Sequence, residues 1–101
     1  MRFFAIAIAC AAPCAGHADP LLGERLFAAE AVPPCGICHT LAAAGTAGAI
    51  GPVLDDLKPD AARVRVAVSQ GVGIMPSYGE ALSPEEIAAV AEYVARASGG
   101  Q

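Results

Sequence analysis

Several things this sequence has little of narrow its function at once. It contains no tryptophan, and beyond residue 18 its aromatics are Phe27, Tyr78 and Tyr93 alone. A core with so few large rings is thin, and a small domain of that kind usually needs a staple: a disulfide, a metal or a covalent cofactor. Positive charge is also scarce. The whole chain has 6 Lys and Arg against 10 Asp and Glu, a net charge of −4. Nucleic acid is therefore excluded as a partner, whereas a basic protein surface is a suitable one. The longest apolar run, Phe3 to about Ala12, falls well short of the roughly 18–20 residues that span a bilayer. There is no internal repeat, no block of like charge, and no stretch that alternates as a strand.

What is present begins with the N-terminus, MRFFAIAIACAAPCAGHA. Arg2 supplies a short positive region, the apolar run follows, and Gly16-His17-Ala18 puts small residues where a signal peptidase reads. Residues 1–18 are read as a secretory signal, cut after Ala18, and residues 19–101 as one domain. A lipoprotein signal using Cys10 or Cys14 fits worse, because Ala-Ile-Ala and Ala-Ala-Pro precede them. Cleavage leaves 83 residues with net charge −5, since Arg2 departs. It also leaves only Cys35, Cys38, His39 and Met75 as soft or imidazole ligands, with no membrane span.

The mature chain reads as helical. Asp19-Pro20 is an N-cap followed by proline at the first helical position, predicting a helix to about Ala31 that Pro33-Pro34 ends. Leu22, Leu26 and Phe27 share a face of it. Thr40–Ala44 reads as a helical turn inside a Gly/Ala-rich loop that runs to Pro52. Asp60 caps a helix over Ala61–Gln70, with Val64 and Val68 on one face and Gly71 as the C-cap. Ser83-Pro84-Glu85-Glu86 is a capping box opening a helix to about Ala97, with Ile87, Val90, Ala91 and Val94 on its buried face and Tyr93 beside it. The predicted class is all-α, with helices at both ends.

The chemistry lies in Cys35-Gly36-Ile37-Cys38-His39. A redox dithiol needs a strand entering a helix, with the first cysteine at the helix N-terminus; here a helix and a Pro-Pro break precede it. Zinc needs four Cys or His ligands, and the mature chain has three, crowded together. A covalent haem uses every piece. Two thiols add across the haem vinyl groups, and the adjacent histidine binds iron from one side. The export signal agrees, because c-type haem is attached outside the bacterial cytoplasm, which makes the expected location periplasmic.

With Gly23-x-x-x-Phe27, CGICH, Gly51-Pro52 with Leu54 behind, Met75-Pro76 and Val90-x-x-Tyr93-Val94 in this order, the chain resembles the class I c-type cytochromes over essentially all of residues 19–101. The resemblance implies a small cytochrome c fold, its first and last helices crossing around one covalent haem c. It implies thioethers from Cys35 and Cys38, iron ligation by His39 and Met75, and a hydrogen bond from His39 to the Pro52 carbonyl. It gives Gly23, Phe27 and Tyr93 structural roles at the crossing. Met75 stands 36 residues after His39, a spacing similar to the compact bacterial members of the family. Tyr78 is a candidate for the haem pocket or a propionate, and Arg63 and Lys58 for propionate pairing.

A ligand-saturated iron leaves one-electron exchange as the chemistry, with a fairly positive potential because a neutral thioether favours Fe(II). The leading expectation is a periplasmic electron carrier rather than an enzyme. Its donor would be a dehydrogenase and its acceptor an oxidase or another cytochrome, with a basic docking surface on the partner. The runner-up is a dedicated haem subunit of a periplasmic dehydrogenase. Leu57-Lys58-Pro59-Asp60 and the Gly71-to-Tyr78 segment resemble small cytochrome subunits of sulfite dehydrogenases. A haem-based ligand binder or peroxidase-like enzyme comes third and requires Met75 to leave the iron.

Overall fold

Two helices close the chain on itself. The computed structural model describes residues 19–101, so the signal reading of residues 1–18 lies outside it. Helix α1 is Leu22–Arg25 and continues directly as a π-helical turn over Leu26–Glu30. The CGIC turn is α2 (Cys35–Cys38). Strands β1 (Thr40–Leu41) and β2 (Thr46–Ala47) flank a 3₁₀ turn at Ala42–Ala44. Then come α3 (Leu54–Leu57), α4 (Ala61–Gln70) and α5 (Pro84–Ser98). The described chain is predominantly helical, and none of its helices is long and apolar enough to cross a membrane.

The strongest local signals give the cleanest helices. The Asp60 side chain accepts from the Arg63 backbone N–H at 2.8 Å. At α5 both halves of the capping box form: Glu86 N–H to Ser83 Oγ at 3.1 Å, and Ser83 N–H to Glu86 Oε1 at 2.9 Å. Reciprocal satisfaction of two orphan donors fixes where the helix starts. Gly99, at φ 84°, ends it in the left-handed region.

Three expectations need correction. Asp19 caps a turn, accepting from Leu21 N–H at 2.9 Å, so the α-helix proper begins at Leu22 rather than Pro20. Its last turn is π: Ala31 N–H donates to Leu26 O at 3.1 Å. The predicted helical turn at Thr40–Ala44 is instead a strand followed by a 3₁₀ turn. Thr40 pairs with Ala47 and Leu41 with Thr46, closed by Gly45 at φ 69°. Strands of two residues are too short to alternate, and this pairing leans on the Thr46 hydroxyl, which accepts from Leu41 N–H and donates to His39 O.

The α1–α5 crossing is tight. Gly23 is buried, and a Cβ there would stand 2.6 Å from Tyr93 Cβ and collide with the Ala89 carbonyl. Just beyond, the Phe27 and Tyr93 rings meet at 5.9 Å with planes 57° apart, within the favoured range for tilted aromatic pairs. Leu26, Phe27, Leu41 and Val90 are the largest fully buried side chains. They form one cluster with Leu54, Val64 and Val68, and one side of that cluster opens onto a cavity.

Candidate haem site

The single helical turn of α2 separates its two cysteines by three residues, which brings side chains to one face of a helix. Pro34 precedes the turn in extended conformation, and His39 follows it, also extended (φ −113°, ψ 138°). The chain beyond is sewn back onto the motif. Gly51 N–H donates to Cys38 O at 2.7 Å, and Thr40 Oγ1 donates to Gly48 O at 2.9 Å.

This return positions the imidazole. His39 Nδ1 lies 2.8 Å from the Pro52 carbonyl oxygen. A carbonyl can only accept, so Nδ1 carries a proton, and in the neutral ring this tautomer leaves the lone pair on Nε2. Gly51 backs the ring: a Cβ there would stand 2.8 Å from Nδ1 and 2.9 Å from Nε2, so only glycine lets the backbone approach this closely.

Met75 arrives from the far side of the sequence. The loop from Gly71 turns tightly, with Met75 N–H to Val72 O at 2.9 Å and Val72 N–H to Met75 O at 3.2 Å. Gly71 adopts φ 76°, and a Cβ on it would meet Met75 O at 2.8 Å. The loop is bound to the end of α4 by Tyr78 N–H to Val68 O at 2.8 Å and by Ser77 Oγ to Ser69 O at 2.6 Å. The Tyr78 hydroxyl then donates to Pro33 O at 2.7 Å. That bond ties the Met75 loop to the segment entering CGICH, across 45 residues.

Cys35, Cys38, His39, Pro52, Met75 and Tyr78 all line one cavity of about 540 Å³. Phe27, Leu54, Val64, Val68, Val90 and Val94 form its apolar floor. The volume falls in the range of cofactor pockets, about 300–1,000 Å³. The cavity is thus dimensioned for a large apolar resident. Its donors, two thiols, an imidazole nitrogen and a thioether, are those a covalent haem takes, and the residues fit that group.

The same geometry argues against thiol chemistry. Burial is the main cause that pushes the Cys35 thiol up to about 11, with the neighbouring Cys38 adding to it and a backbone hydrogen bond opposing it. A dithiol oxidoreductase needs the opposite, a thiolate stabilised near neutral pH. Among the described residues no group of three or more Cys, His, Asp or Glu side chains is arranged to hold a metal ion.

The Tyr78 hydroxyl donates to Pro33 O, and its ring is buried in the cavity wall. Burial, then the neighbouring Cys35 and Cys38, raise its phenol. Arg63 lines the cavity and Lys58 does not. Reading the sequence missed the Pro33 carbonyl and the rim residues Ile50, Val72 and Ile74, which are 64%, 62% and 85% exposed yet border the cavity. Large aliphatic residues in a Gly-rich loop, where nothing buries them, were the signal available.

A family model described as cytochrome c oxidase, cbb3-type, subunit III matches residues 18–94. Among curated proteins none matches. Among solved structures, the crystal structure of the c-type cytochrome SorU from Sinorhizobium meliloti is similar at 50% identity and a TM-score of 0.76. The match covers 79% of this chain and 91% of that one. With the motif, the cavity and both likenesses in agreement, the chain belongs to the c-type cytochrome family that this cbb3-type subunit III model describes.

Proposed function

We propose that the mature chain is a periplasmic one-electron carrier that would hold one haem c, with Cys35 and Cys38 as its thioether anchors and His39 and Met75 as its iron ligands. The observation that carries this is the engaged Nδ1 of His39, which leaves Nε2 as a donor in a cavity shared with both thiols and Met75. Bound haem supplies reversible Fe(II)/Fe(III) exchange at a fairly positive potential. The chain's own residues do the rest. Pro52 fixes the imidazole orientation and strengthens it as a donor. Met75, held by its anchored loop, completes the ligand set and excludes substrates. The apolar floor keeps water out, and Tyr78 holds the two walls together. Exposed Ile50, Val72 and Ile74 offer a dry rim for brief docking, while the chain's net negative charge steers a basic partner toward it. Donor and acceptor would be a dehydrogenase and an oxidase or another cytochrome.

A second reading keeps the chemistry and changes the company: a dedicated haem subunit of a periplasmic dehydrogenase such as sulfite dehydrogenase. The resemblance of Leu57–Asp60 and of the Gly71-to-Tyr78 loop to such subunits favours it, and the likeness to SorU is compatible with it. The test is a visible spectrum of the protein matured with the haem-attachment machinery, oxidised and reduced, followed by carbon monoxide on the reduced sample. A low-spin c-type spectrum indifferent to carbon monoxide is expected. A prompt shift would remove Met75 from the iron and favour ligand binding instead. Co-purification from the native host with a larger enzyme would select the second reading over the first.

A further inference from the structure

His39 is held at three points. Its backbone N–H donates to Cys35 O at 3.0 Å, its ring Nδ1 lies against the Pro52 carbonyl, and its own carbonyl accepts from the Thr46 hydroxyl at 2.9 Å. The first two partners are backbone atoms. Among the described residues, Thr46 is the one side chain that hydrogen-bonds the backbone of Cys35–His39. Its Oγ1 also accepts from Leu41 N–H at 3.1 Å, so the hydroxyl is used in both directions. Its methyl covers the same turn: a Cβ on Gly36 would collide with Thr46 Cγ2. Helix α2 ends at Cys38, and His39 is extended with ψ 138°. No helical hydrogen bond therefore fixes the direction of the His39 carbonyl, and the Thr46 hydroxyl does.

We propose that Thr46 is a positioning residue for His39: its hydroxyl locks the His39 carbonyl and thereby the direction in which the imidazole enters the cavity. The proposal rests on the haem reading above, in which that imidazole is an iron ligand. With the N–H tied to α2 and the carbonyl tied to β2, the Cα–Cβ bond of His39 has one heading, and Nδ1 meets Pro52 along it. Partners of this kind, one step behind a metal ligand, set its orientation and its strength as a donor. Without the hydroxyl, the half-buried carbonyl loses its donor and can turn, and the Nδ1–Pro52 bond opens more often.

The experiment follows solvent exchange of the His39 Nδ1 proton by NMR in the reduced, haem-loaded protein. The second readout is the pattern of paramagnetically shifted haem methyl resonances in the oxidised form, which depends on the orientation of the imidazole plane. Thr46→Val keeps the methyl over Gly36 and removes the hydroxyl, whereas Thr46→Ser keeps the hydroxyl. Two controls loosen the same loop without touching that bond. Thr40→Val removes the Thr40–Gly48 hydrogen bond, and Gly45→Ala strains the β1–β2 turn at φ 69° in open space. Thr46→Val should speed Nδ1 exchange about three- to tenfold, the factor one ordinary hydrogen bond is worth, and should alter the methyl pattern. Thr46→Ser should stay within about twofold of wild type, as should both controls, each with the wild-type pattern. Thr46→Ala should repeat the Thr46→Val result, and it replaces that variant if Thr46→Val takes up no haem. Wild-type exchange and pattern in the hydroxyl-free variants, or equal changes in Thr40→Val or Gly45→Ala, would overturn the positioning role and leave the haem reading intact. A wild type without a covalent-haem spectrum would overturn both.

Discussion

The two tyrosines of the domain stand in two regions built on different principles. Tyr93 lies where α1 and α5 cross, packed on Phe27 and against Gly23. Its hydroxyl is buried without a hydrogen-bond partner among the described residues. Tyr78 lies in the cavity wall, and its hydroxyl joins segments distant in sequence. The crossing is complete in itself, made of protein touching protein, and it tolerates an unmatched polar atom for the sake of close packing. The cavity is the reverse: its polar groups are satisfied or aimed inward, and its apolar surface is left for a guest to cover. One region holds the chain together, and the other makes that hold conditional on the guest.

That contrast can be broken most severely from the cavity side. Replacing both Cys35 and Cys38 by alanine would remove the proposed thioether anchors, and with them the filling that the apolar floor needs. The purified variant should lack the c-type spectrum and show no cooperative thermal transition by circular dichroism. A variant that melted cooperatively near the wild-type temperature would mean that the crossing alone suffices. Next comes Gly23→Val, which forces branched carbon into the Ala89 backbone and the base of Tyr93. Overpacking costs about 1–3 kcal/mol, and at about 4–8 °C per kcal/mol for a domain this size the haem-loaded protein should melt well below wild type with an unchanged spectrum.

The tyrosines themselves sharpen the comparison. Tyr78→Phe leaves the Pro33 carbonyl without its donor and should cost about 1 kcal/mol, read as an earlier denaturant midpoint. Tyr93→Phe deletes a hydroxyl that has no partner, so its stability should stay within about 0.5 kcal/mol of wild type or rise. A loss equal to that of Tyr78→Phe would mean that Tyr93 has a partner after all. The two Tyr93 forms should also part at alkaline pH. Burial first, and then the Glu24 charge, raise the Tyr93 phenol above its ordinary value of 10.0. A group raised in the folded state contributes fully below the unfolded value and loses that contribution as pH climbs past it. Wild-type stability should therefore fall more steeply than that of Tyr93→Phe above about pH 10, in urea titrations at stepped pH.

The crossing and helix α4 were largely legible in the sequence because their signals are local. Ser83 and Glu86 are three residues apart, Asp60 precedes its helix, and Ile87, Val90, Ala91 and Val94 repeat at helical spacing. What escaped reading depends on partners remote in sequence or on geometry without a residue code. Nothing near Leu26–Glu30 marks a π turn, because one hydrogen bond shifted by one residue has no side-chain requirement of its own. The β1–β2 pairing hangs on the Thr46 hydroxyl, a single atom. At the site, residue types pointed to Cys35, Cys38 and His39, but which carbonyl receives Tyr78 and which cation reaches the wall are matters of where loops return. Arg63 and Lys58 look alike in the sequence, and only the course of α3 and α4 separates them.

The anchored Met75 loop can be put in terms of effective concentration. Bonds from Tyr78 to Val68 and from Ser77 to Ser69 fix the loop whether or not its methionine is engaged. Any contact Met75 makes inside the cavity is then intramolecular, and a thioether that lets go stays within reach of the place it left. An outside ligand must compete with a local concentration on the order of millimolar or more, the range short tethers impose. The loop therefore resists replacement by proximity, even where the individual bond is weak.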